Sequence, residues 1–188
     1  MADATPSRAL IMMDFQNVAL GMLGNDPELI AGAARLLGWA RERGMPVLHV
    51  MLGFSAGYPE LSQRNTGLAA LAKAGLMLVD DPRTAIHAGL APREGEPVIV
   101  KHRIDAFVGT GLKDRLDALA VDELVMAGVA TSGVVLSSVR HALDLDFAVT
   151  LVEDCCRDFD AETHRTIMHG ILSRQAKVVA LDALVEGQ

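Results

Sequence analysis

Gly128-Val129-Ala130-Thr131-Ser132-Gly133-Val134-Val135 is a glycine-bearing turn between an apolar run and a helical pattern. The run before it, Leu124 to Ala127, predicts a buried strand, and the stretch from Ser132 or Gly133 to Leu145 predicts a helix. A strand-turn-helix of this kind presents backbone N–H groups at a helix N-terminus, where they can hold an anion or an oxyanion. Ala130, Thr131, Ser132, Gly133 and Val134 are therefore the expected anion-binding turn.

Working outward, five further apolar runs predict strands: Arg8 to Met13, Pro46 to Leu52, Pro97 to Val100, Ala148 to Val152 and Lys177 to Ala180. Helical patterns fall between them. Asp26-Pro27-Glu28 is a helix start, with Asp as N-cap and Pro at the first helical position. It leads into Leu29 to Arg43, with Ile30, Ala33, Ala34, Leu37 and Ala40 or Arg41 on one face and Gly44 as the stop. Leu68 to Ala74, Gly111 to Leu119 and a segment from Asp160 to about Leu172 also read as helices. Alternation of strand and helix implies βαβ units and right-handed crossovers. The expected architecture is one domain over residues 1–188, a three-layer α/β/α sandwich on a six-stranded, mainly parallel sheet. Gly53 to Glu96 interrupts the pattern with Gly, Pro and Asn and predicts a functional excursion over one end of the sheet.

Ligands of open parallel sheets bind beyond the carboxyl ends of the strands. That rule selects Asp14, Phe15, Gln16 and Asn17, then Leu52, Gly53 and Phe54, then Lys101, His102 and Arg103. It also selects the 129–134 turn and Glu153, Asp154, Cys155 and Cys156. Burial raises a carboxyl pKa and a nearby lysine lowers it, so Asp14 and Lys101 together form a candidate acid–base pair. Each alone reads equally well as a salt-bridge or capping residue.

The chain of 188 residues carries a net charge of −7 and 51% hydrophobic residues, with one Trp, one Tyr and five Phe. No basic stripe with interleaved aromatics is present, which argues against a nucleic-acid partner. Mean hydropathy is +0.29, in keeping with a buried sheet or an oligomer face. No apolar run is long enough to span a bilayer, and Met1 to Ser7 lacks the pattern of a secretory signal, so the expected compartment is the cytoplasm. The adjacent Cys155 and Cys156 read as buried thiols. The six histidines are scattered, without metal-ligand spacing, and neither metal nor cofactor is expected.

Asp14-Phe15-Gln16-Asn17, Lys101-His102-Arg103 and the 128–135 turn, in this order and context, resemble the isochorismatase-like (cysteine hydrolase) family from about Ala9 to Leu181. Ala106-Phe107 with Thr110, and Glu153-Asp154, extend the resemblance. It implies a cis peptide before Ala130, a homodimer or homotetramer, and a small-molecule substrate. It also implies Asp14 as general base, Lys101 as its electrostatic partner, and a cysteine nucleophile at the position of Val134. Valine has no lone pair to offer. Ser132 and Ser137 do not match the position, and neither cysteine lies at a helix N-terminus. The loop Leu52 to Glu60 lacks the histidine of metal-dependent nicotinamidase-type members.

The isochorismatase branch cleaves a vinyl ether by carbon protonation, with no covalent nucleophile. Asp14 as acid and Lys101 as partner satisfy that chemistry, which is favoured here over amide hydrolysis. The alternative is a catalytically inactive member that binds a small ligand or serves in sensing or assembly. Phe15, Gln16, Phe54, Arg103 and Phe107 are the expected pocket residues, and Arg64, Arg83, Arg93 and Arg103 are candidates for binding a carboxylate.

Overall fold

The computed structural model describes residues 7–187. Its six strands are β1 (Arg8–Met13), β2 (Val47–Leu52), β3 (Val98–Lys101), β4 (Glu123–Val129), β5 (Ala148–Arg157) and β6 (Lys177–Val179). They form one sheet in the order β3-β2-β1-β4-β5-β6, and every neighbouring pair is parallel. The α-helices are α1 (Asn17–Met22), α2 (Pro27–Glu42), α3 (Thr66–Lys73), α4 (Leu112–Ala118), α5 (Leu136–Asp144), α6 (Ala161–Arg165) and α7 (Leu181–Glu186).

The central strands are apolar because both their faces are covered. β2 is buried throughout, and β1 and β4 are buried after their first residue. β3 lies at the edge and alternates instead, leaving Val98 and Val100 exposed. The α2 start is as expected: the Asp26 carboxylate accepts from the N–H groups of Glu28 and Leu29 at 3.0 and 3.3 Å. The buried face of α2 is Leu29, Ala33, Leu36, Leu37, Trp39 and Ala40, so Ala34 faces water, contrary to the sequence pattern.

Two differences from expectation shape the site. First, β5 runs on through Glu153, Asp154, Cys155 and Cys156, which were expected beyond its end. Met126 pairs with Leu151 but Gly128 with Cys156, so β5 bulges in between and continues beside β4. Second, α5 begins at Leu136, after a π-type turn over Thr131–Val135 that is kinked at Gly133. The Val129–Ala130 peptide bond is cis.

Strand order reverses direction between β1 and β4, where the chain winds outward to β2 and β3 on one side and to β5 and β6 on the other. A crevice opens at the carboxyl ends of strands at such a switch point. Asp14 follows β1 and the 130–135 turn follows β4, so both stand at its mouth.

Candidate active site

Asp14 sits one residue past β1 in the left-handed region, at φ 57°. Its N–H donates to Val50 O at 2.9 Å, which locks the carboxyl end of β1 against β2. Its Oδ2 lies 2.9 Å from Lys101 Nζ, at the end of β3. Lys101 is 1% exposed, and its ammonium also donates to the carbonyls of Arg103 and Ile104, each at 3.0 Å. Asp14 Oδ1 is buried without a hydrogen-bond partner among the described residues. Burial pushes the Asp14 carboxyl above its ordinary pKa, and the adjacent Lys101 charge opposes that rise.

A cavity of about 210 Å³ opens on this carboxyl. Gln16, Lys101, Val129, Ala130, Gly133 and Val134 line it as the strand-end rule requires. Apolar walls come from Ala19 and Met22 of α1, from Leu52, and from Leu71 and Met77 of the 53–96 excursion. Ile104 and the exposed Phe159 complete them. Gln16 is a tie: its amide nitrogen donates to Leu52 O at 2.9 Å and Thr84 O at 2.6 Å, and its oxygen accepts from Leu52 N at 2.9 Å. It thereby holds the excursion over the cavity.

Four expected pocket residues lie elsewhere. Phe15 is buried in the main hydrophobic core. Phe54 is fully buried in a separate cluster with Leu52, Leu68 and Met77. Phe107 packs on His141 and Phe147, with ring centroids 5.0 and 6.5 Å away. The Arg103 guanidinium donates to the carbonyls of Glu60 and His102. None of Arg64, Arg83, Arg93 and Arg103 lines the cavity.

Two of the turn amides are already engaged. The Ser132 N–H donates to Asp158 Oδ2 at 2.5 Å, and the Gly133 N–H to Ala130 O at 3.1 Å. Thr131 is fully buried, with its hydroxyl 2.8 Å from His164 Nδ1. Burial, then the nearby Arg157 charge, lowers the His164 pKa, which favours the neutral ring. Asp158 follows the bulged extension of β5 and His164 lies in α6; neither carries a sequence signal that places it against the turn, because the bulge leaves no periodic pattern.

Cys155 and Cys156 are fully buried in β5 and do not line the cavity. Burial raises both thiol pKa values, that of Cys156 to about 12. A larger open cleft of about 480 Å³ lies between α2, β5 and α7, and its arginines already hold carboxylates. Arg35 pairs with Asp182 at 2.8 Å and Arg157 with Asp26 at 2.9 Å. Among the described residues no helix is long and apolar enough to cross a membrane.

The parallel α/β sheet brings a buried Asp–Lys pair and the 130–135 turn together at its switch point. Residues 8–183 match the family model described as Isochorismatase domain, and the chain belongs to the isochorismatase family. It is 32% identical over 185 residues to the phenazine biosynthesis protein PhzD of Pseudomonas fluorescens, covering 96% of this chain and 86% of that one. It is 30% identical over 176 residues to the maleamate amidohydrolase of Pseudomonas putida, covering 91% and 82%. An isochorismatase family protein from Desulfovibrio vulgaris superimposes with a TM-score of 0.86 at 28% identity, covering 97% of this chain and 98% of that one.

Proposed function

We propose that this family member hydrolyses a small molecule by acid catalysis from Asp14, without a covalent nucleophile, in the manner of vinyl-ether cleavage. The observation that carries this is the Asp14 carboxyl, paired with the buried Lys101, in the lining of a cavity where Val134 occupies the nucleophile position. The Asp14 carboxyl gives its proton to the terminal vinyl carbon. The oxocarbenium ion that forms is captured by water, which returns a proton to Asp14. The resulting hemiacetal collapses to a carbonyl compound and an alcohol. Lys101, 2.9 Å from Oδ2, stabilises the carboxylate that exists between the two proton transfers. The Asp14 pKa, raised by burial, keeps the acid form available at higher pH than an ordinary carboxyl allows.

The test is a substrate panel of ethyl vinyl ether, isochorismate, nicotinamide, a carbamoyl amino acid and a simple ester, with wild type and Asp14→Asn side by side. The expected result is turnover of a vinyl ether, reduced about 10²-fold or more in Asp14→Asn. Turnover of an amide that iodoacetamide abolishes would refute it. Saturable ligand binding without turnover would support the inactive, ligand-binding alternative. The protein is further proposed to be a cytoplasmic homodimer or homotetramer, a state that light scattering measures directly.

A further inference from the structure

We infer that His164 is a positioning residue: its neutral ring holds the 130–134 turn that walls the cavity, and its protonation releases that wall. The consequence for turnover rests on the hydrolysis proposed above; the hold on the turn does not.

The strap from Arg157 to Arg165 grips the turn at two successive residues. Asp158 Oδ2 accepts the Ser132 N–H, and His164 Nδ1 lies 2.8 Å from Thr131 Oγ1. Between the two grips, Asp158 Oδ1 accepts the Phe159 N–H at 2.9 Å, and Phe159 lines the cavity. Ala130, Gly133 and Val134, which bracket the gripped pair, line it too. Arg157, paired with Asp26 at 2.9 Å, ties the near end of the strap to the start of α2. His164 itself does not line the cavity, so it acts on the wall and not on a ligand.

The Thr131 contact depends on the charge of the ring. Thr131 is fully buried, and among the described residues its hydroxyl has His164 as its one hydrogen-bond partner. A hydroxyl has one proton to give, and here the acceptor for it is the Nδ1 lone pair. The neutral ring therefore carries its own proton on Nε2. A protonated ring has an N–H at both nitrogens. Nδ1–H would then face Oγ1, and the Thr131 proton would have no acceptor at a position closed to water. The charged ring thus forfeits one of the two grips on the turn.

The surroundings keep the ring neutral at neutral pH. Burial disfavours its charge, and Arg157 on β5 does the same. Glu153 on β5 and Asp158 just beyond it favour the charge, and His169 in the π-type turn Thr166–Ile171 opposes it. Glu153 is itself engaged by His169 at 2.9 Å. Glu162 and Arg165 on α6 are exposed, and the 131–135 turn brings no titratable group. Release therefore falls on the acid side of an ordinary histidine.

Nuclear magnetic resonance on the intact, isotope-labelled protein tests the grip without any substrate. The expected result is a neutral His164 with its proton on Nε2, and Thr131, Ser132 and Val134 amide signals that shift with the His164 titration. Thr131→Val removes the hydroxyl that supports the neutral ring and should raise the His164 midpoint. A proton on Nδ1 would overturn the inference, as would turn amides that stay still while His164 titrates. Rates on ethyl vinyl ether test the consequence. Wild type should lose about tenfold per pH unit below the His164 midpoint. His164→Asn keeps an acceptor near the Nδ1 position but does not titrate, so it should lack that limb. His164→Leu has no acceptor and should lose about tenfold or more at neutral pH, a loss that His164→Asn largely restores. An acid limb that persists in His164→Asn, or equal rates for the two variants, would overturn the positioning role. Tracking amides without turnover of any substrate would refute the hydrolysis reading alone and support the grip on the turn.

Discussion

Asp14 is held between two opposed effects, and the balance sets a pH dependence. Burial favours its neutral form more than Lys101 favours the ion, so its pKa lies above the ordinary carboxyl value. A general acid works only while protonated, so kcat should fall as pH rises through that raised value; a rate profile on ethyl vinyl ether checks the direction. Lys101→Met removes the opposing charge and should move the falling limb to higher pH. It should also cost about 3–5 kcal/mol of stability where Asp14 is ionised, and less in acid, where Asp14 is neutral, as denaturant melts at two pH values would show. The sign for stability follows from linkage. The folded state holds the Asp14 proton more tightly than the unfolded chain does, so Asp14 withdraws stability as pH rises from its unfolded to its folded pKa.

At the scale of elements, the site depends on how closely β4 approaches β1. A Cβ on Gly128 would meet Met13 O at 2.7 Å and Met13 Cβ at 2.8 Å, and neither backbone nor Cβ can swing aside. Gly128→Ala should therefore cost about 3 kcal/mol and depress activity, because Asp14 and the 130–135 turn flank the displaced pair; thermal melts with rate measurements test both. Asp158→Ala removes a charge-assisted bond to the Ser132 N–H and should cost about 1–2 kcal/mol by the same melts. The strands were legible because buried parallel strands write apolar runs, and β1 was read with its observed limits. The short helices α1 and α7 were not, since six residues cannot display a helical period. The tail of β5 was misplaced because a bulge lets a polar EDCC stretch stay paired. Asp14 and Lys101 were legible as strand-end charges, whereas Phe54 and Phe107 were chosen for residue type and sequence nearness, which say nothing of facing.

On the scale of the whole molecule, the thiols sit inside the sheet and the chemistry sits at its rim. Cys155 and Cys156 have no exposed surface, and burial raises both pKa values. The folded protein should resist iodoacetamide at neutral pH and take up two labels only in denaturant, as intact-mass spectrometry would read. The exposed Met22, Ile104 and Phe159 ring the cavity opening, so ligand entry passes over apolar side chains before reaching the buried carboxyl. The switch point supplies the crevice, and Asp14 and the 53–96 excursion both contribute to its lining.

The most direct test of thiol-free acid catalysis is the hydrolysis rate of ethyl vinyl ether by wild type, iodoacetamide-treated wild type and Asp14→Asn. The account predicts equal rates for the first two and a loss of about 10²-fold or more for the third. A rate that survives in Asp14→Asn, or that vanishes on alkylation of the folded protein, would contradict it.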